Sequence, residues 1–164
     1  MIEGDIEILK MNAEASLLIS ELHYKAFIAS SDQEWSEKAF REMLSIKGTN
    51  CYLVKRDMNP IGFALMRRIA DEVEIITFCI LPNECKNGYA TLLLEWIIKD
   101  LQRQSIKRLF LEVRENNVAA IGLYKKCSFD IIGRRNGYYQ IKNGENIDAI
   151  VMQRVLNSEK TTGL

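Results

Sequence analysis

The sequence is poor in the residues that punctuate chains. Only two prolines occur, Pro60 and Pro82. No Pro/Gly/Ser-rich stretch, internal repeat or low-complexity segment marks a linker. Charge of one sign is missing too: 22 Lys and Arg balance 22 Asp and Glu, for a formal net charge of zero. A neutral chain has no global pull toward nucleic acid or anionic membrane, so neither is expected as a direct partner. His23 is the single histidine, and the four cysteines, Cys51, Cys79, Cys85 and Cys127, form no C-x-x-C pair. No zinc set can be assembled from them, and no metal is expected. Three of these thiols sit in or beside apolar runs, where a free thiol behaves as a small hydrophobe in a reducing compartment. No apolar run approaches the roughly 18 residues of a membrane-spanning helix. The opening Met1-Ile2-Glu3-Gly4-Asp5 lacks the basic and apolar regions of a signal peptide. A cytoplasmic protein is the expectation.

What is present is enough for one domain: 164 residues, 48% of them hydrophobic, a length that buries a real core. We assign residues 1–156 to that domain and 157–164 to a polar C-terminal tail. Ile6, Ile8 and Met11 predict an opening strand. Asn12 is placed to cap a helix over 13–28, with Leu17, Leu18, Leu22 and Phe27 as its apolar positions; Ser30, Ser31 and Asp32 break it. A second helix is predicted over 35–44, with Phe40 and Leu44 inward. Strands over 51–55, 61–66 and 74–81 follow one another with turn signals between them, as in an antiparallel meander. The pattern then changes to helix 88–101, strand 108–113, helix 117–127, strand 129–133 and a closing strand 147–155. That alternation predicts parallel pairing through crossovers.

Three constellations stand out. In Pro82-Asn83-Glu84-Cys85-Lys86-Asn87-Gly88-Tyr89-Ala90 an apolar strand turns into an apolar helix, whose start carries unpaired N–H groups and partial positive charge. Small residues at Gly88 and Ala90 let a phosphate approach the backbone, although the same residues also serve an ordinary tight turn. In Leu109-Phe110-Leu111-Glu112-Val113-Arg114 the strand period sets Phe110 and Glu112 on one face. Glu112 is then either solvated at the strand end or set in a cleft, where a carboxylate can act as a base. In Asn116-Asn117-x-x-Ala120-x-x-x-Tyr124 an asparagine can cap the helix, and Ala120 and Tyr124 share a helix face. That face either borders a ligand or packs into the core. If the strands are parallel, strand ends and helix starts gather at one edge, where open sheets bind ligands. His23, among apolar residues, reads as a surface or packing residue, and the Arg134-Arg135 pair as a solvated face.

These segments carry a family resemblance. Cys85-Lys86-Asn87-Gly88-Tyr89-Ala90 resembles the Q/R-x-x-G-x-G/A signature of GNAT acetyltransferases. The run Leu111-Glu112-Val113-Arg114-Glu115-Asn116-Asn117 through Ala120-Ile121-Gly122-Leu123-Tyr124 resembles the L-E-V-R-x-x-N-x-x-A-I-x-L-Y run of their RimI type. Arg134-Arg135-Asn136-Gly137-Tyr138-Tyr139 and Asp148-Ala149-Ile150-Val151-Met152 are similar to that type's R-x-N-Y-Y segment and D-A-I-x-M closing strand. The likeness is close over 74–155 and is one of layout before that.

The resemblance implies an α/β GNAT fold, a central mixed sheet of about seven strands flanked by about four helices. It implies transfer of an acetyl group from acetyl-CoA, the co-substrate, to the N-terminal α-amine of a protein, in the RimI type the N-terminal alanine of a small-subunit ribosomal protein. Another amine acceptor, or a CoA-binding module without transfer, are the rival readings. It implies Glu112 as general base and Tyr124 as general acid. Backbone groups of Phe78, Cys79 and Ile80 would hold the acetyl and pantetheine arm, and a bulge there would free an N–H for the oxyanion. Backbone groups of Lys86, Asn87, Gly88, Tyr89, Ala90 and Thr91 would hold the pyrophosphate, and Asn117 would contact the cofactor. Tyr138 and Tyr139 would either line the acceptor groove or pack at the strand edge. Direct transfer without an acetyl-enzyme, by a monomer or weak dimer, is expected. The chain departs from the pattern at Cys85, where a glutamine or arginine is usual, and at Asn87, where an arginine is frequent. Ser128 stands in place of a glycine, and Gly137 is an extra residue before the tyrosines.

Overall fold

The computed structural model describes residues 2, 4–29, 34–141 and 144–157. The break expected at Ser30–Asp32, and the tail beyond Asn157, lie outside the described residues. The elements in chain order are β1 (Ile6–Met11), α1 (Ser16–Phe27), α2 (Glu37–Ser45), β2 (Thr49–Arg56), β3 (Asn59–Ile69), β4 (Glu72–Ile80), α3 (Tyr89–Arg103), β5 (Arg108–Arg114), α4 (Val118–Lys126), β6 (Asp130–Gln140) and β7 (Asn146–Val155). Seven strands form one mixed sheet in the order β1-β2-β3-β4-β5-β7-β6.

Alternation along the central strands explains the layers. Tyr52, Val54, Ala64 and Met66 belong to a core shared with α3 and α4. Their neighbours Cys51, Leu53, Phe63 and Leu65 belong to a second core against α1 and α2. A strand covered on both faces reads as a continuous apolar run rather than an alternating one. In α3 the residues Tyr89, Leu93, Leu94, Ile97, Ile98 and Leu101 are buried, the stripe of a helix facing a sheet. On α1 the inward residues are Ile19, Leu22 and His23. Leu17, expected to be inward, is exposed, because Asn12 caps a short 3-10 turn over Ala13–Ala15 and the helix begins only at Ser16.

The expected parallel second half is not what forms. Only β4 and β5 pair in parallel; β5 pairs antiparallel with β7, and β7 antiparallel with β6. The crossover through α4 does return β6 in the direction of β5, but one place farther out. The β6–β7 hairpin then folds β7 into the vacant place between them. β6 is also longer than expected: bulges between Ile131 and Gly133 and between Arg135 and Tyr139 carry it to Gln140, where the sequence read as turns.

The parallel pairing itself is short. It runs from Glu72↔Arg108 to Ile75↔Leu111, although β4 continues to Ile80 and β5 to Arg114. Past Ile75 and Leu111 the two strands part. Each is held on its outer side, β4 by β3 up to Gly62↔Ile80 and β5 by β7 up to Arg114↔Ala149.

Gly62 keeps β3 and β4 close at the far end of the stretch that β4 runs without β5. A Cβ there would stand 2.4 Å from the Cys79 carbonyl oxygen and 3.0 Å from the Ile80 Cα, and backbone cannot swing aside as a side chain can. Gly62→Ala should therefore lower stability by roughly 1–3 kcal/mol. A thermal scan in which the variant melts with the parent would show that no such close approach exists.

Candidate active site

A cavity of about 470 Å³ occupies the gap between β4 and β5. Its walls are Ile75–Phe78 of β4, Leu111–Arg114 of β5, Asn117, Ala120 and Tyr124 of α4, and Tyr138–Gln140 of β6, with His23, Phe27 and Trp35 closing one end. Leu111 and Val113 face the α3/α4 core, while Glu112, between them, points to the opposite face of the sheet. Both sets line the cavity because it passes through the sheet where the strands have parted. A carboxylate from one face and a phenol from the other thus reach one space.

Glu112 takes the cleft rather than the solvated position: its side chain is 13% exposed. Its Oε1 lies 2.8 Å from Arg135 Nε, and Tyr138 lines the same cavity beside it. The Glu112 charge, and then burial, push the Tyr138 phenol above the ordinary tyrosine range. Tyr139 is pushed the same way, by burial first and Glu112 second; its hydroxyl is 3.5 Å from the Glu112 carbonyl oxygen, and Arg114 lies over its ring at 5.0 Å. Tyr124 is buried, its ring edge-on to Phe78 at 6.4 Å and tilted against Phe129 at 5.6 Å. Burial raises its phenol strongly, so it stays protonated.

The two neighbouring tyrosines both reach the cavity because β6 bulges. Arg135 pairs with Ala149 and Tyr139 with Ile147, so Asn136, Gly137 and Tyr138 stand opposite Asp148 alone. In an even strand, Tyr138 and Tyr139 would point to opposite faces. Gly137 takes φ +60°, and its N–H donates to Asp148 Oδ1 at 2.7 Å. Asp148 Oδ2 accepts from Arg134 at 2.8 Å, and Arg134 also pairs with Glu115 at 3.0 Å. The extra glycine is therefore the hinge of the bulge rather than an interruption of it.

Asn117 lines the cavity and caps α4, its Oδ1 accepting from the Ala120 N–H at 3.1 Å; an amide so engaged keeps its NH2 donors. Phe78 also lines the cavity, but Cys79, Ile80 and the turn Lys86–Thr91 do not. That turn lies just past the end of β4. Lys86 and Gly88 hold φ +65° and +86°, Gly88 is the N-cap of α3, and no side chain caps the helix. The bulge expected around Phe78–Ile80 sits earlier: Leu65 pairs with Thr77 and Met66 with Ile75, leaving Ile76 as the extra residue, and Ile76 lines the cavity.

The wall of His23, Phe27 and Trp35 was not legible as part of a site. His23 is buried, stacked on Trp35 at 5.5 Å and tilted to Phe27 at 4.6 Å, with its Nδ1 unpartnered. Burial holds its imidazole below the ordinary range, hence neutral. It is a packing residue, as its apolar neighbours implied, but one that also borders the cavity. Among the described residues no cluster of His, Cys, Asp and Glu is arranged to hold a metal, and no helix is long and apolar enough to cross a membrane.

Comparison with known proteins agrees with this fold. Residues 18–129 match the model of the acetyltransferase (GNAT) family. The [ribosomal protein bS18]-alanine N-acetyltransferase of Escherichia coli K12 is 32% identical over 72% of this chain and 78% of its own length. Its counterpart from Haemophilus influenzae is 37% identical over 72% of this chain and 80% of its own. The crystal structure of the E. coli enzyme superimposes with a TM-score of 0.85 at 24% identity, covering 98% of this chain and 99% of that one. Arabidopsis thaliana NAA60 in complex with acetyl-CoA shares the fold with a TM-score of 0.76 at 19% identity, over 92% and 98% of the two chains.

The Asp148 anchor is testable without any substrate. Asp148→Ala leaves the Gly137 N–H and Arg134 without their acceptor and should cost roughly 1–3 kcal/mol in urea denaturation. It should also change the near-ultraviolet circular dichroism of Tyr138 and Tyr139. Asp148→Asn, which keeps an oxygen for Gly137, should lose less.

Proposed function

The chain belongs to the acetyltransferase (GNAT) family and is an N-acetyltransferase, and from that premise we propose that it transfers the acetyl group of acetyl-CoA to a protein N-terminal α-amine, the alanine of ribosomal protein bS18. The observation that carries the mechanism is the shared cavity: Glu112, Tyr124, Tyr138 and Tyr139 all line it. The acceptor follows the relatives' activity, and the apolar end formed by His23, Phe27 and Trp35 suits a short first side chain. The reaction then takes place in the cytoplasm, where ribosomal proteins are made.

The residues present fit the thioester carrier. The parted strands offer backbone groups that no ladder between β4 and β5 takes up, and the Phe78–Ile80 backbone is assigned to the acetyl and pantetheine arm. The turn Lys86–Thr91 opens a 15-residue helix with no side-chain cap, and its N–H groups suit a pyrophosphate. A Cβ at Gly88 would meet nothing nearer than the Ile2 side chain at 3.7 Å, so the open space fits a phosphate drawn close. The Asn117 amide is assigned a cofactor contact through its NH2 group.

An N-terminal amine has a pKa of about 8 and arrives largely protonated at neutral pH. Glu112, directly or through a water, takes its proton so that the nitrogen lone pair can attack the acetyl carbonyl. The oxyanion is assigned to an N–H of β4 beside the Ile76 bulge. Tyr124, protonated and buried, donates to the departing thiolate. Transfer is direct, since Cys85 and Cys127 have no histidine partner to activate them; burial also pushes the Cys79 thiol up to about 12 and raises that of Cys127, which disfavours the nucleophilic thiolate at both.

Acetylation of a hexapeptide carrying the bS18 N-terminus tests the assignment. Glu112→Gln and Tyr124→Phe should each lose about two orders of magnitude in rate, and an N-terminally blocked peptide should not react. Parental rates in both variants would remove the two roles. The pH profile carries a second expectation. Burial keeps Tyr124 protonated, so its titration should not lower kcat/KM below about pH 10. A descending limb between about pH 8 and 9 that vanishes in Tyr124→Phe would contradict a burial-raised phenol.

A further inference from the structure

The site holds a cation that the transfer chemistry does not use. Arg135 Nε is 2.8 Å from Glu112 Oε1, yet Glu112 is the group assigned to the incoming ammonium. Two cations cannot share one carboxylate without mutual repulsion, so the acceptor must compete with Arg135 unless a second anion is near. Arg134 cannot fill in, being held by Glu115 and Asp148 on the scaffold side.

Glu74 supplies that second anion. Val73 and Ile75 face the α3/α4 core, so Glu74, between them, points to the opposite face of the sheet, the face of Glu112. It pairs in register with Phe110, which precedes Glu112 by one position on the same face of β5. Glu74 and Glu112 are therefore diagonal neighbours on adjacent strands, a separation that long side chains bridge. Burial first, and then the Glu112 charge, push the Glu74 carboxyl above the ordinary range, while Arg135 and then Arg67 oppose that shift. Arg135 is 57% exposed and its guanidinium lies over the Tyr138 ring at 5.3 Å, so it can turn between two carboxylates with little change in solvation.

We propose that Arg135 is an exchangeable counter-ion, neutralising Glu112 while the acceptor is absent and moving to Glu74 when the acceptor's ammonium takes its place. Arg67, in register with Glu74 across β3 and β4, is the other cation near Glu74, which Arg135 shares on arrival. Beside Glu74, Arg135 stays near the amine and its positive charge favours the neutral amine, so the proton leaves the nitrogen for Glu112 more readily. Glu74 and Arg135 are positioning residues, and the exchange rests on the reading of Glu112 as base.

The test measures kcat and both KM values with the bS18 hexapeptide and acetyl-CoA. Glu74→Gln leaves Arg135 nowhere to go, and the acceptor KM should rise about threefold to fivefold. Arg135→Gln removes the competitor and the nearby cation together, so the acceptor KM should fall about threefold while kcat falls about tenfold. Arg135→Lys should restore most of both. In the double variant the Glu74 effect should vanish, since it acts through Arg135, and the acetyl-CoA KM should stay put throughout. A structural role would move KM and kcat in the damaging direction together. An acceptor KM that rises in Arg135→Gln, or Glu74 and Arg135 effects that multiply, would overturn the exchange. Glu112→Gln is run alongside: if it is inactive while those results appear, the exchange alone fails, and if it is fully active the base assignment fails and the exchange with it.

Discussion

The structure depends on a pairing that stops early. β4 and β5 share only four registered residue pairs, and beyond them each strand keeps its outer neighbour and loses its inner one. Backbone polar groups inside a protein must find partners, so the facing edges of the parted strands invite either water or an extended polar chain. A pantetheine arm, with its own amides, is such a chain. The Ile76 bulge lies where the strands begin to part, and bulges bend and twist the strand that carries them.

The gap also decides which side chains can cooperate. An intact sheet would separate Glu112 from Tyr124 by its full thickness, since one points toward α1 and α2 and the other comes from α4. Opening the sheet removes that barrier without moving either residue from its regular place. The cavity is thus built from ordinary elements: a strand with clean alternation and a helix with an asparagine cap.

The β6 side of the cavity is organised by charge instead. Asp148 fixes the β6 bulge through Gly137 and Arg134, and the bulge turns Tyr138 and Tyr139 to the same cavity. Next to that rigid pair of bonds, Arg135 remains largely exposed. The division of labour between adjacent arginines is a matter of a single residue's shift in strand period: one is drawn into the scaffold, its neighbour toward the Glu112 carboxylate.

Much of this was legible in the chain. Helix stripes, the turn before α3, the strand face of Glu112 and the shared helix face of Ala120 and Tyr124 all follow from periods of two and 3.6 and from capping chemistry, which act within a few residues. Family-like runs around Glu112, Tyr124 and Tyr139 pointed to the transfer reaction for the same reason, being local. What the sequence did not disclose is long-range: that β7 would insert between β5 and β6, that β4 and β5 would separate after Ile75 and Leu111, that His23, Phe27 and Trp35 would close the cavity, and that Arg135 would meet Glu112 rather than solvent. Those outcomes are set by competition among strands and by packing between residues far apart in the chain, and no local pattern encodes the winner.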